Sequence, residues 1–135
     1  MPEERRKDRK EGMSESRSIR TSDEILYNKV ICLLASYFTE PGWEKLFLSG
    51  GCYWLANFLH QQLRSSKLMI NRAQEHCAIA FGIGIYDVTG RISHNGFHEA
   101  NSREVSFMKK NYIPCFPADQ LERYLKKSLS SDIPL

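Results

Sequence analysis

Two consecutive glycines precede a cysteine where a helical pattern begins, and this arrangement constrains the chain more than any other feature. From Cys52 onward the apolar residues recur at helical spacing, at Leu55, Ala56, Leu59 and Leu63. Gly50 and Gly51 allow a sharp backbone turn and leave room for a substrate beside the sulfur. The N–H groups and dipole of a helix N-terminus favour a thiolate. Cys52 is therefore a candidate nucleophile, and its N–H is a candidate oxyanion donor.

A candidate base and its orienting carboxylate follow on two strand-like segments. Residues 76–81 and 83–88 have strand composition, and the glycines at their junction favour a hairpin turn. With an even-numbered turn, the numbers of opposed residues sum to 165. His76 and Asp87 are then diagonal neighbours on one face, about 7–8 Å apart at Cα. An odd-numbered turn would put Asp87 on the other face, so the predicted base His76, oriented by Asp87, requires an even-numbered turn.

The remaining patterns predict a fold of the α+β class, with the cysteine helix packed on a small antiparallel sheet. Further elements are predicted as a helix over 22–39, a helical turn over 43–48, a strand over 68–70, a possible helix over 103–110, a possible edge strand at 112–113 and a last helix opening at 117–119. The predicted core comprises Leu26, Val30, Leu33, Leu34, Leu55, Ala56, Leu59, Ile79, Phe81 and Ile85.

Length and charge predict one domain over residues 21–135, preceded by a disordered charged tail over residues 1–20. The tail holds seven Lys or Arg and five Asp or Glu, which leaves twelve and eleven for the rest of the chain. This nearly neutral body disfavours a nucleic-acid partner. No apolar run approaches the roughly 20 residues of a membrane span, and no secretory signal precedes the body. We expect a cytoplasmic protein without a membrane partner; the sequence leaves the oligomeric state open.

The four cysteines are expected to be free thiols without a metal. They include no C-x-x-C pair, and a cytoplasmic chain does not favour disulfides. No cofactor is predicted.

The run 49–56, His76 and the segment Tyr86-Asp87-Val88-Thr89-Gly90 together resemble small papain-like cysteine hydrolases, related to the NlpC-type and transglutaminase-like folds of bacteria and phages. The resemblance covers roughly residues 49–90. It implies Cys52 as nucleophile, His76 as base and Asp87 as the orienting carboxylate. The implied activity is that of a peptidase, amidase or deamidase acting on a protein or peptide substrate.

Two alternatives remain beside this interpretation. Tyr53 and Trp54 are candidates for lining a substrate cleft, but aromatic residues beside a helix start also commonly pack in a core. Residues 43–48 contain no Gln or Asn for a second oxyanion donor, which favours a catalytically inactive scaffold that binds or inhibits proteins. A Cys52 sulfur that lies near His76 in an open groove would favour the enzyme. A Cys52 sulfur sealed in the core would favour the scaffold.

Overall fold

A capping box starts the first helix, α1 (Ser22–Tyr37), in the computed structural model, which describes residues 21–131. The Thr21 side chain accepts from the Glu24 N–H at 3.1 Å, and the Glu24 carboxylate accepts from the Thr21 N–H at 3.2 Å. The helix predicted over 22–39 is confirmed, two residues shorter at its end. The predicted tail, residues 1–20, lies outside the described residues.

Five strands within the described residues form one antiparallel sheet. They are β1 (Lys67–Asn71), β2 (His76–Phe81), β3 (Gly84–Asp87), β4 (Gly90–Ile92) and β5 (His98–Glu99). Their order across the sheet is β4-β3-β2-β1-β5. Gly82 and Ile83 form the two-residue turn between β2 and β3, so that Ile79 lies opposite Tyr86 and Phe81 opposite Gly84. The predicted even-numbered turn and its register are therefore confirmed.

The edge strand predicted at 112–113 is wrong. The sheet edges are β4 and the two-residue β5, in which His98 pairs with Ile70. Tyr112 instead ends the helix α3 (Ser102–Asn111), because its N–H donates to the Met108 carbonyl oxygen at 2.8 Å. Residues 112–113, although of strand-forming types, thus directly follow a helix and do not belong to the sheet.

The helix that carries the cysteine, α2 (Gly51–Gln62), packs on β2 and against a 3₁₀ helix (Trp43–Phe47). The last helix, α4 (Ala118–Ser131), packs against α1. Predicted core residues on α2 and the sheet are buried, namely Leu55, Ala56, Leu59, Ile79, Phe81 and Ile85. On α1, Val30 and Leu34 are buried as predicted, whereas Leu26 and Leu33 are only partly buried because Tyr27 occupies the core.

The described residues therefore confirm an α+β fold with a cysteine-bearing helix packed on an antiparallel sheet. None of their helices is both long and apolar enough to cross a membrane.

Candidate active site

The two glycines before Cys52 lie in close backbone contacts. An ideal Cβ on Gly50 would stand 2.3 Å from the Ile113 carbonyl oxygen, and one on Gly51 would stand 2.3 Å from that of Leu46. Gly50 has ordinary helical dihedral angles, φ −56° and ψ −31°. The close contacts account for both glycines without a bound substrate, so their predicted role in substrate binding stays a prediction.

The Cys52 sulfur is buried against β2. The ladder between β2 and β3 ends at the pair Ile79 and Tyr86, and the Cys77 N–H donates to Cys52 Sγ at 3.3 Å. Cys52 is 2% exposed and, with Asp87, lines a cavity of about 10 Å³. The sulfur thus lies against the sheet and not in an open groove.

A tight turn places His76 at the first position of β2. The Asn71 side-chain oxygen accepts from the Gln74 N–H at 3.1 Å, and the Glu75 N–H donates to the Arg72 carbonyl oxygen at 3.3 Å. Glu75 completes the turn in a left-handed conformation with φ 53°, which non-glycine residues adopt infrequently. The turn therefore fixes the position of the His76 backbone, from which the imidazole extends.

The His76 and Asp87 side chains form a buried pair. His76 Nε2 lies 2.9 Å from Asp87 Oδ2. The other carboxylate oxygen, Oδ1, accepts from the Thr89 N–H at 2.8 Å and from the Thr89 hydroxyl at 2.5 Å. Because Asp87 engages Nε2, the ring nitrogen left for Cys52 is Nδ1. The predicted base and its predicted carboxylate thus meet just beyond the last residue pair of β2 and β3.

The pKa shifts of His76 and Asp87 are those expected for an ion pair. Burial lowers the pKa of His76, but hydrogen bonds with Asp87 and Cys52, and the charges of both groups, outweigh it and raise the pKa from 6.5 to about 9. Burial raises the pKa of Asp87, but hydrogen bonds with His76 and Thr89 lower it below the usual range. An imidazolium beside an ionised Asp87 is thus favoured at neutral pH.

The neighbouring thiol of Cys77 is held in its neutral form. Burial, together with the charge of Cys52, raises the pKa of Cys77 well above that of an ordinary thiol. Cys77 is 1% exposed. It contributes its backbone N–H to the Cys52 sulfur while its own thiol stays protonated.

The predicted oxyanion donor is already engaged. The Cys52 N–H donates to the Ser49 carbonyl oxygen at 3.0 Å, since the chain is already helical at Gly50. This hydrogen bond competes with any oxyanion for the same proton.

A larger cavity, of about 410 Å³, lies beside the site. Its lining is mixed in charge and partly aromatic: Ile70, Arg72, Glu75, Arg103, Glu104, Phe107 and Tyr112. Glu75 directly precedes the base, while Tyr112 is close enough to Cys52 and Cys77 for their charges to affect its pKa. The Phe97 ring meets the His76 ring edge-on, with ring centroids 6.1 Å apart. The cavity therefore adjoins the site, and Phe97 packs beside the base.

The predicted cleft residues Tyr53 and Trp54 lie elsewhere. Tyr53 is buried in the core, where its hydroxyl has no hydrogen-bond partner among residues 21–131. Trp54 stacks on Phe58, with centroids 5.6 Å apart, and meets the Phe116 ring edge-on at 5.6 Å. Neither residue lines the 410 Å³ cavity, and their predicted contact with substrate stays a prediction.

The family described as Phage YunG-like protein matches residues 30–126 of the chain. The chain belongs to this family. No curated protein and no solved structure matches it. The matched part of this YunG-like protein includes Cys52, His76 and Asp87.

Sequence reasoning missed two residues of the site in this YunG-like protein, Thr89 and Tyr112. Thr89 had a local signal, because an Asp often accepts a hydrogen bond from the backbone N–H two residues later. Tyr112 had no such signal, because its approach to Cys52 depends on how the chain runs after α3. Across residues 21–131, no cluster of three or more His, Cys, Asp or Glu side chains could hold a metal ion.

Proposed function

We propose that this YunG-like protein is a cysteine-dependent hydrolase of papain-like fold, with Cys52 as nucleophile, His76 as acid and base, and Asp87 as the orienting carboxylate. One observation carries the proposal: His76 forms a 2.9 Å pair with Asp87 and also interacts with the Cys52 side chain at the start of α2. A nucleophile, a base and a group that orients the base are the components of thiol catalysis.

The chemistry follows from the positions of the three groups. Cys52 Sγ attacks the carbonyl carbon of an amide or thioester, and the carbonyl π electrons move to the oxygen. As the intermediate collapses, the bond to the leaving group breaks, and that group takes the proton of His76. His76 then removes a proton from water, which attacks the thioester and releases the acid and the Cys52 sulfur. Asp87 keeps Nε2 engaged throughout.

The 410 Å³ cavity is the proposed substrate site. It combines apolar walls, Ile70 and Phe107, with the charged Arg72 and Arg103, a mixture that suits a protein or peptide chain. Because Cys52 is only 2% exposed, the substrate carbonyl reaches the sulfur after a local shift of the covering groups.

An inactive scaffold is the second candidate, and two observations favour it. The sulfur is buried beside a cavity of only about 10 Å³, and the Cys52 N–H is engaged by Ser49. In that case the same fold would bind or inhibit a protein without covalent chemistry.

Competition among the four cysteines for a limiting amount of iodoacetamide at about pH 6 separates the two candidates. Cys32 and Cys115 are exposed, whereas Cys52 and Cys77 are buried, so accessibility alone predicts that the exposed pair reacts first. Ordinary thiols are almost fully protonated at this pH. The hydrolase proposal therefore predicts that Cys52 is alkylated first, as read by peptide mapping.

Variants of the base supply the control for this competition. His76→Ala should remove the preference for Cys52, and Asp87→Asn should reduce it less, because Asp87 acts through the ring. His60→Ala is the matched control, since His60 bonds Ser66 away from the site, at 2.9 Å. Labelling of Cys32 and Cys115 ahead of Cys52 would favour the scaffold.

A further inference from the structure

Tyr112 belongs to the wall of the 410 Å³ cavity, and the chain next to it packs against the start of the helix that carries Cys52. In the cavity lining its ring meets that of Phe107, with centroids 6.1 Å apart. The carbonyl of the next residue, Ile113, packs so closely on Gly50 that a Cβ there would stand 2.3 Å from its oxygen. The backbone beside Tyr112 is thus fixed against the chain two residues before Cys52.

The Tyr112 hydroxyl is available to a ligand. Within residues 21–131 no hydrogen bond to this hydroxyl is present. Burial, and next the charge of Cys52, raises the pKa of Tyr112, so the group remains a protonated donor at the pH of the reaction. The Tyr53 hydroxyl also lacks a partner, but it is enclosed in the core and lies outside the cavity lining.

Neither oxyanion donor sought from the sequence is free in the structure. As Cys52 Sγ bonds to the substrate carbon, the carbonyl oxygen gains a negative charge that polar hydrogens must stabilise. The Cys52 N–H is engaged by the Ser49 carbonyl at 3.0 Å, and residues 43–48 contain no Gln or Asn.

We infer that the Tyr112 hydroxyl donates a hydrogen bond to the oxyanion formed when Cys52 attacks a substrate carbonyl. This assignment rests on the proposed hydrolase function. The donor retains its proton: it stabilises the charge while the intermediate exists, and the bond weakens when the carbonyl re-forms and the leaving group departs with the proton of His76.

Two reactions of the same sulfur test this role. Acylation by p-nitrophenyl acetate passes through an oxyanion, whereas alkylation by iodoacetamide displaces iodide and forms none. Tyr112→Phe should slow acylation of Cys52 by about 10²-fold, the loss typical of one oxyanion donor, while the alkylation rate changes less than about twofold, since alkylation has no oxyanion to stabilise. Tyr124→Phe is the matched control, because Tyr124 lies on α4 against Tyr37; both rates should stay unchanged.

The remaining outcomes of this test can also be interpreted. An equal fall of both rates would make Tyr112 a structural residue, and two unchanged rates would leave it without a role; either result overturns the inference while the hydrolase proposal stands. Failure of the unmodified protein to be acylated at Cys52 would overturn the hydrolase proposal and, with it, the role of Tyr112. Circular dichroism of each variant verifies that the fold is retained.

Discussion

Gly50→Ala should destabilise the fold because the added methyl group meets a backbone carbonyl. The ideal Cβ would stand 2.3 Å from the Ile113 oxygen and 3.2 Å from the Ile113 carbonyl carbon. Alanine adopts the dihedral angles of Gly50, φ −56° and ψ −31°, without strain. The cost in the folded state therefore comes from this contact and not from the backbone conformation.

The magnitude combines two opposed effects. Forcing a methyl group into a packed site costs about 1–3 kcal/mol, whereas replacing glycine by alanine at compatible dihedral angles stabilises by about 0.4–1 kcal/mol through the unfolded chain. We expect a net loss of about 1–2 kcal/mol. With a urea dependence of about 1–3 kcal/mol per molar, the unfolding midpoint should fall by about 0.3–2 M.

Urea unfolding followed by circular dichroism measures this loss. Ser49→Ala is the matched control, because the exposed Ser49 side chain donates a long bond of 3.3 Å to the Lys45 carbonyl oxygen; its effect should stay within about 0.5 kcal/mol. A Gly50→Ala protein as stable as the parent would refute the packing argument. If that protein also lost acylation of Cys52, glycine would instead be required for substrate approach.

Three further changes test the core and the buried pair. Leu59→Ala should lower the free energy of unfolding by about 2–5 kcal/mol, because Leu59 is fully buried. A loss below about 1 kcal/mol in urea unfolding would contradict the placement of Leu59 in the core. The pKa of His76 is raised from 6.5 to about 9, so protonated His76 stabilises the fold. The difference in free energy of unfolding between the parent and His76→Ala should therefore be largest below about pH 6.5 and disappear as the pH rises through about 9. A difference that stays constant from about pH 6 to 10 would contradict the pairing of His76 with Asp87. Thr89→Val should cost about 1 kcal/mol by removing the hydroxyl 2.5 Å from Asp87 Oδ1, and an unchanged unfolding midpoint would count against that bond.

The parts of the fold predicted from the sequence are those with local chemical signals. The Thr21 cap and the 3–4 spacing define α1, while Gly82 allows the two-residue turn that fixes the register of β2 and β3. That register predicts His76 and Asp87 on one face of the sheet, and their side chains meet just beyond the last residue pair of the two strands.

The parts that escaped prediction depend on short or distant interactions. β4 and β5 have three and two residues, too few for a periodic pattern to indicate a strand. The engagement of the Cys52 N–H by Ser49 depends on the helical conformation of Gly50, which the sequence does not specify. The position of Tyr112 depends on packing between segments more than 50 residues apart, for which one sequence carries no pattern.

The fate of an acyl group on Cys52 tests the central claim most directly. Intact-protein mass spectrometry with peptide mapping, at successive times after mixing with excess p-nitrophenyl acetate, should show an acetyl group on Cys52 that forms and is then released by water, with the free sulfur restored. Cys52→Ser should lose this transient species, whereas Cys32→Ser, at an exposed position on α1, should retain it. Acetylation confined to the exposed cysteines, or an acetyl group that stays on Cys52 unhydrolysed, would contradict a hydrolase built on Cys52, His76 and Asp87.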